Sequence, residues 1–468
     1  MTFKLRPYQS ETIANILDSM RQGNKHIIVQ QPPRTGKTVI MAEIARKTTS
    51  KGNRVMFIIH RKEVLAQAKT TFRKQDVNMN LATMGMVQTL TRRVNKLTEP
   101  QLILIDEAHH ALSQSYRRII DAFPNAYILY FTATPIRTGH DQLDQIADDI
   151  IVGKSIKWLT DQGYLAPFRY FSMPDIDTVK LKKSSTGDYT NESMDEAIDK
   201  AVYGDVIEQY NEHAKGMQAV CYSYSISSAK LIADHFNKAG ISAVEVDGMT
   251  PAEERDELVQ QFRDQKIKIL VNVNLFTEGV DLPNVDCVIM VRPTQSLALY
   301  LQFAMRCLNP RKGKEAVIID HVENWKRFGT PSADRDWTQA IVTSKKRKKA
   351  DPTPPTVQCN QCMMVWELKD LINGCCPECG FKITKDRKPV EVVKTDLVEI
   401  DQETENARYE ADHRVGMAKQ IIGNRLMQAV ADKTVGQLSS IEELKAYGKL
   451  HGFKPGWAWY QAKNRGWA

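Results

Sequence analysis

Three groups of residues have types and spacing that could do chemistry. The first is Gln30-Gln31-Pro32-Pro33-Arg34-Thr35-Gly36-Lys37-Thr38. It follows the apolar run at 26–29 and precedes Val39-Ile40-Met41-Ala42-Glu43-Ile44-Ala45, whose pattern predicts a helix. Strand, turn, Gly-Lys-Thr and helix make a cradle for phosphate, because loop N–H groups and a helix N-terminus favour anionic oxygens. Lys37 would reach the β- and γ-phosphates, and Thr38 would hold Mg²⁺. The motif prefers glycine five residues before Gly36, where Gln31 stands. The second group is the apolar run 102–105 followed by Asp106-Glu107-Ala108-His109. Asp106, at a strand tip, would hold the Mg²⁺ shell, and Glu107 would polarise an attacking water. The third is Cys359-Asn360-Gln361-Cys362 with Cys376-Pro377-Glu378-Cys379-Gly380, two C-x-x-C knuckles with 13 residues between them. Four thiolates at this spacing suit a tetrahedral Zn²⁺. Cys375 is left spare, since Cys376 gives the two-residue spacing before Gly380. The segment is too short to build its own core, so zinc would contribute most of its folding energy.

These groups need a framework. Apolar runs at 26–29, 55–59, 102–105 and 126–131 form one series, and runs at 219–222, 267–271, 287–291 and 316–319 a second. Continuous apolar runs suit parallel strands buried on both faces, and the intervals fit helical crossovers. Two series predict two α/β domains, divided between Val152 and Pro167. The stretch 173–192 is polar and irregular. A linker is expected at 344–356, where Lys345-Lys346-Arg347-Lys348-Lys349 runs into Asp351-Pro352-Thr353-Pro354-Pro355. After the cysteines, an acidic stretch leads to a helical ending, with Ser440 and Glu443 spaced as a capping box.

The 468 residues allow about three domains and ample cores. Hydrophobic residues at 42% and charged at 26% exclude a mainly disordered, collagen-like or coiled-coil chain. No apolar stretch reads as a signal peptide or a membrane span, so a reduced, cytoplasmic setting (that of a bacterial host, if phage-encoded) is expected, with no membrane partner. The net charge is +8. Residues 344–395 hold 11 basic against 6 acidic groups, and 451–468 hold 3 basic and no acidic ones. The positive excess thus gathers outside the first two domains. In the tail, Trp457, Trp459, Tyr460 and Trp467 alternate with Lys454, Lys463 and Arg465. That mix can stack on bases and hold phosphates, or the rings can pack a small helical module.

On Lys37, Thr38, Asp106 and Glu107 the chain resembles superfamily II helicases of the DEAD/DEAH-box type, across both α/β domains. The resemblance implies two tandem RecA-like parallel-sheet domains at 1–160 and 161–343. It implies a linker at 344–356, a zinc ribbon at 357–384, and an acidic connector with a small helical C-terminal module at 385–468. It also implies roles. Leu5-Arg6-Pro7-Tyr8-Gln9 looks like the adenine-reading entry motif, with Gln9 on the adenine edge and Arg6 nearby. Arg34, Thr35 and Gly36 would line the nucleotide with Lys37 and Thr38. His60-Arg61 and Gln88-Thr89 match nucleic-acid-contacting motifs, as does Ser225. His109 and Thr132-Ala133-Thr134 match positions that couple hydrolysis to strand movement. Thr277-Glu278-Gly279-Val280-Asp281 resembles a motif touching nucleic acid through Thr277 and nucleotide through Gly279 and Asp281. Gln302-Phe303-Ala304-Met305-Arg306 resembles the motif supplying the arginine finger.

The segment Ile319-Asp320-His321, the ribbon and the ending Lys454-Pro455-Gly456-Trp457 resemble phage- and prophage-borne members. The resemblance implies an ATP- and Mg²⁺-dependent DNA helicase or translocase with a zinc ribbon, acting in replication, recombination or repair. Its track would be single-stranded or branched DNA, gripped largely independently of sequence, with room for a replication or recombination protein partner. Three residues depart from the pattern: Arg34 and Met305 stand where glycine is usual, and Asn309 replaces a second arginine. Arg311 is close but out of register. These departures motivate a second reading, a weakly active or inactive motor that binds nucleic acid or a partner protein. RNA as the track is a third. The ribbon could touch DNA, dock on the motor or stand as a stable module.

Overall fold

The computed structural model describes residues 2–60, 62–108, 111–135, 143–173, 176, 180–184, 188–198, 202–273, 275, 282, 284–341, 355–383, 429–431, 433–451, 453, 457–465 and 467. The chain divides into two compact units, Met1–Thr384 and Lys385–Ala468.

The first unit is built on two six-stranded sheets. One contains β1 (His26–Gln30), β2 (Val55–Ile59), β3 (Ala82–Met86), β4 (Leu102–Ile105), β5 (Tyr127–Thr132) and β6 (Asp149–Val152), in the order β3-β2-β4-β5-β1-β6. The other contains β7 (Phe168–Ser172), β8 (Ala219–Tyr222), β9 (Ala243–Val246), β10 (Ile269–Asn272), β11 (Cys287–Met290) and β12 (Ala316–Asp320), in the order β7-β12-β11-β8-β10-β9. Every pairing in both sheets is parallel. This is the tandem α/β architecture expected.

The eight apolar runs are the eight inner strands. The four that the runs do not reveal, β3, β6, β7 and β9, are the four sheet edges. β4, β8, β10 and β11 are buried at every residue, whereas β6 is buried at none and β3 and β9 at one each. An edge strand has one strand neighbour and thinner cover, so it needs no unbroken apolar run. Within the first sheet, alternation sorts side chains into two cores. Ile27, Val29, Phe57, Leu104 and Leu129 pack on one face. Ile28, Met56, Ile58, Ile103 and Ile128 pack on the other.

Such sheets gather their loops at the strands' C-terminal ends, where ligands bind in open α/β folds. β4, β5 and β1 are neighbours, so Asp106, Thr132 and Gln30 emerge side by side. Tyr222 ends β8 at the centre of the second sheet.

The cysteine segment pairs β13 (Thr356–Gln358) with β14 (Val365–Glu367), antiparallel. It is docked on the second sheet's edge. The Ser172 N–H donates to the Met363 carbonyl at 3.1 Å, and the Gln358 amide donates to the Ser172 carbonyl. Arg169 pairs with Glu378. Met364 and Val365 are buried in the second sheet's core. The cysteine segment thus packs on the second sheet, one of the arrangements the sequence leaves open. Residues 337–341, a short 3₁₀ turn, pack against β6, and Ile341 joins the first sheet's core. The chain beyond the second sheet therefore returns to the first.

The second unit has two described helices, Ile441–Leu450 and Trp457–Asn464. Val430, Leu438, Leu444 and Ala462 form its core. Ser440 caps the first helix by accepting from the Glu443 N–H at 3.1 Å. The Glu443 carboxylate accepts from the Ser439 N–H at 2.6 Å, one residue upstream of a standard box. The Lys345–Lys349 run and the acidic stretch lie outside the described residues. Among the described residues, no helix is long and apolar enough to cross a membrane.

Candidate nucleotide site and cysteine cluster

The loop after β1 is bent by two left-handed residues, Arg34 at φ 64° and Gly36 at φ 80°. The bend aims the N-terminus of the Lys37–Thr49 helix, and with it Lys37 and Thr38, at the loop's mouth. A left-handed Arg34 carries strain of the kind that gathers at functional sites. The Thr35 hydroxyl donates to the Pro32 carbonyl at 2.8 Å and tightens the loop.

The opening helix, Pro7–Arg21, clasps this loop. The Tyr8 hydroxyl and the Gln9 amide donate to the Thr35 carbonyl at 2.7 and 3.0 Å. The Gln9 carbonyl oxygen accepts from the Arg6 N–H at 2.9 Å. The Arg6 guanidinium lies 5.2 Å over the Tyr164 ring. Arg6 and Gln9 thus sit at the loop's rim. Tyr8, which the sequence reading did not single out, is a second clasp. A Cβ on Gly36 would come 2.6 Å from the Gln9 amide nitrogen. Gly36→Ala should therefore cost about 1–2 kcal/mol of left-handed strain and dislodge Gln9. Denaturant titration measures this, and an unchanged midpoint would contradict it.

Gln31 departs from the phosphate-loop pattern without obstructing it. Its amide turns to the opening helix, donating to the Thr12 hydroxyl at 3.1 Å. Room exists because residue 153 is glycine: a Cβ there would meet the Gln31 amide nitrogen at 2.6 Å. Gln30, also unforeseen, ties β1 to the end of β5 by donating to the Ala133 carbonyl at 3.1 Å. Thr132 and Thr134 are buried there, and the Thr134 N–H donates to the Thr132 hydroxyl at 3.2 Å.

At the tip of β4, buried Asp106 accepts from the Glu107 N–H at 3.0 Å. Glu107 is left-handed, at φ 49°. That backbone swings its carboxylate to Lys37, whose ammonium donates to it at 3.0 Å. Lys37, Asp106 and Glu107 are thus brought together from β1 and β4, as their spacing suggested. A phosphate arriving at the loop would compete for Lys37 and release the Glu107 carboxylate toward water.

The second sheet's domain contributes Arg306. Its side chain is buried, on the turn after the Leu297–Ala304 helix that carries Gln302. Burial pushes the Tyr222 phenol up, while Arg306, which hydrogen-bonds it, and Arg34 both pull it down. One phenol therefore feels a guanidinium from each lobe. Tyr222 stacks on Phe303 with ring centroids 4.0 Å apart. Tyr222 was read only as a strand residue. Its place at a central strand's C-terminal tip was the signal available. Met305 is fully buried and fills core where glycine is usual. One Arg311 guanidinium nitrogen donates to both Asp286 carboxylate oxygens, at 2.7 and 2.8 Å.

The residues assigned to nucleic acid are placed as follows. His60 directly follows β2 and is half-buried, and Gln88 and Thr89 are exposed on the Val87–Arg92 helix after β3. Ser225 caps the Ile226–Lys238 helix, accepting from the Ser228 N–H at 3.2 Å. Arg61, His109, Thr277, Gly279 and Asp281 lie outside the described residues.

The sulfurs of Cys359, Cys362, Cys376 and Cys379 lie within 4.8 Å of one another. Two pairs, Cys359–Cys379 and Cys362–Cys376, are 3.6 Å apart. A tetrahedral ion with bonds of about 2.3 Å needs sulfurs about 3.8 Å apart, so the cluster fits zinc. Burial pushes the Cys376 thiol up, but N–H groups of Cys379 and Glu378 bring it down to about 7, while burial drives the neighbouring Cys362 thiol up. Cys375 points elsewhere, with its sulfur 3.9 Å from the Asn373 carbonyl.

Comparison with known proteins agrees with this geometry. Residues 2–137 match the family model of the type III restriction enzyme res subunit, and residues 201–310 that of the helicase conserved C-terminal domain. A 51.5 kDa protein of a Lactococcus phage is 38% identical over 361 residues, covering 77% of this chain and 79% of its own. The IRC3 protein of Saccharomyces cerevisiae, provisionally named an ATP-dependent helicase, is 29% identical over 353 residues. That match covers 68% of this chain and 51% of IRC3, so the chain spans about half the yeast protein's length. Among solved structures, the ATP-dependent type ISP restriction-modification enzyme LlaBIII bound to DNA superposes with a TM-score of 0.52 at 14% identity. It covers 68% of this chain and 28% of LlaBIII, and shows the shared fold alone.

Proposed function

The chain belongs to the superfamily II helicases, an ATP-dependent family with a phage member, and from that premise we propose that it is a phage-borne DNA translocase or helicase of the DEAH type. The observation that carries the reading is the convergence of Lys37, Asp106 and Glu107 at one loop cluster, beside which the loop's Arg34 and the second domain's Arg306 act on one phenol, Tyr222. Lys37 holds the β- and γ-phosphates, Thr38 and Asp106 hold Mg²⁺, and Glu107 orients the attacking water. Bound Mg²⁺ neutralises charge on the phosphate oxygens. Arg6 and Gln9 hold the base, while Arg34, Thr35, Gly36, Gly279 and Asp281 complete the nucleotide cradle. Arg306, steadied by Tyr222 and set beside Gln302, meets the charge that develops during transfer. Closure of the two sheets on ATP and their release afterwards change the spacing of two backbone grips, which moves the protein along a strand. His60, Arg61, Gln88 and Thr89 form one grip, and Ser225 and Thr277 the other, with His109, Thr132 and Thr134 coupling them to hydrolysis.

DNA rather than RNA is favoured by the likeness of the ribbon and the tail to those of phage-borne members, and the cationic ribbon segment and tail suit a phosphate backbone of either kind. The domain limits proposed are 1–160, 161–343, 344–356, 357–384 and 385–468, with Zn²⁺ in the ribbon. Purified protein with Mg²⁺ should hydrolyse ATP, and single-stranded DNA should raise the rate more than RNA of equal length. Lys37→Ala serves as the inactive reference. A rate that no nucleic acid changes would refute the motor, and a preference for RNA would reassign the track.

A further inference from the structure

Among the described residues, the C-terminal unit leaves Trp459, Tyr460 and Trp467 outside its core. That core is aliphatic: Val430, Leu438, Leu444 and Ala462. On the Trp457–Asn464 helix, Ala458 and Ala462 turn inward. Trp459 and Tyr460 turn outward, 58% and 59% exposed. Trp467, just beyond, is 37% exposed. Helical spacing puts Lys463 one turn after Trp459 on the same face, and its ammonium lies 5.1 Å over the Trp459 ring. The Arg465 guanidinium lies 5.1 Å over the Trp467 ring.

Aromatic rings of this size bury about 150–250 Å² each when packed. Rings of this size left open beside a formed core mark a binding surface rather than a packing need. The partner's chemistry follows from two features. Each tryptophan carries a cation on its ring, and residues 451–468 hold three basic and no acidic groups. An acidic protein partner would meet the charges but has no general use for flat, open rings. A single nucleic-acid strand needs both, offering a π-face and a phosphate at every step. Paired bases are already stacked, so a duplex would use only the charges.

We propose that the outward face of this helix, Trp459, Tyr460 and Lys463, with Trp467 beside it, is a stacking platform for single-stranded DNA. It is an accessory grip separate from the contacts assigned to the two sheets. A strand's bases displace the Lys463 ammonium from the Trp459 ring and stack on Trp459 and Tyr460, while Lys463 and Arg465 turn to the phosphates. The proposal rests on the DNA reading of the motor. The platform binds without base preference, because every base presents a face to stack.

The test uses the full chain and a fluorescent 20-nucleotide oligothymidylate, with binding read by anisotropy. The double substitution Trp459→Ala and Tyr460→Ala should weaken binding at least tenfold, since each stacked base contributes about 1–3 kcal/mol, or roughly 5- to 150-fold. Trp459→Phe with Tyr460→Phe keeps two rings and should stay within about threefold of wild type. Binding to a blunt duplex of the same length should change far less than binding to the single strand. Equal affinity of wild type and the alanine variant for the single strand would overturn the proposal. So would an equal loss on the duplex, which would leave only a charged surface. ATP hydrolysis by the wild type, with and without DNA, separates this outcome from failure of the motor reading. A DNA-stimulated wild type whose affinity ignores Trp459 and Tyr460 refutes the platform alone.

Discussion

Arg306→Ala is expected to lower the ATP turnover number by about 10³-fold or more, with little change in the KM for ATP. An arginine facing the transferring phosphoryl group acts on charge that grows only in the transition state, so its loss falls on kcat. The geometry supports this at Arg306 in particular. Its side chain is buried, its fork is held by Tyr222, and the phosphate-loop residue Arg34 acts on the same phenol. Arg306→Lys should not restore the rate, because an ammonium on a flexible stem lacks the planar fork. Tyr222→Phe removes one hydrogen bond worth about 0.5–1.5 kcal/mol and should cost roughly 2- to 12-fold. Steady-state phosphate release measures all three, and a fluorescent ATP analogue reports binding. If Arg306→Ala turned over near the wild-type rate while Arg34→Ala did not, the finger would be Arg34, and the residue in the usual glycine position would be the adaptation that replaces it.

Cys359→Ser or Cys376→Ser should reduce zinc from one ion per chain to near zero, and Cys375→Ser should leave it intact. The reason is the sulfur geometry: four converge and the fifth is turned away. The consequence reaches beyond the ribbon. Structural zinc contributes about 10–16 kcal/mol to folding of such peptides, so the metal-free segment should lose its fold. Met364 and Val365 then leave the second sheet's core. β7 loses the partners of its Ser172 N–H and carbonyl and becomes an open parallel edge, a template for aggregation. Metal analysis should therefore be joined to thermal unfolding and light scattering. The expected result is a lower midpoint with aggregation, and the same change on chelation of the wild type. A zinc-free variant that melts like the wild type and stays monodisperse would show that the ribbon sits on the motor without supporting it.

Local information sufficed where a residue's role depends on its neighbours along the chain. Inner strands are covered on both faces and must be apolar throughout, so eight of them showed as runs. The phosphate loop, the Asp106-Glu107 tip and the two cysteine knuckles are contiguous motifs whose chemistry is written in a few adjacent positions. What only the tertiary structure decided is what depends on partners distant in sequence. Edge strands are specified by the strand beside them rather than by their own pattern, which hid β3, β6, β7 and β9. Gln31 looked like a defect until the space left by Gly153 showed where its side chain goes. Arg311 is close to the missing second arginine but out of register in the sequence, and the structure pairs it with Asp286. The spacing of the ribbon's cysteines foretold their clustering, but its docking comes from Ser172, Arg169 and the second sheet's core, nearly 200 residues away. The tail's aromatic residues could have been core or surface by composition alone. Their exposure followed only once four small aliphatic side chains were seen to fill the inside.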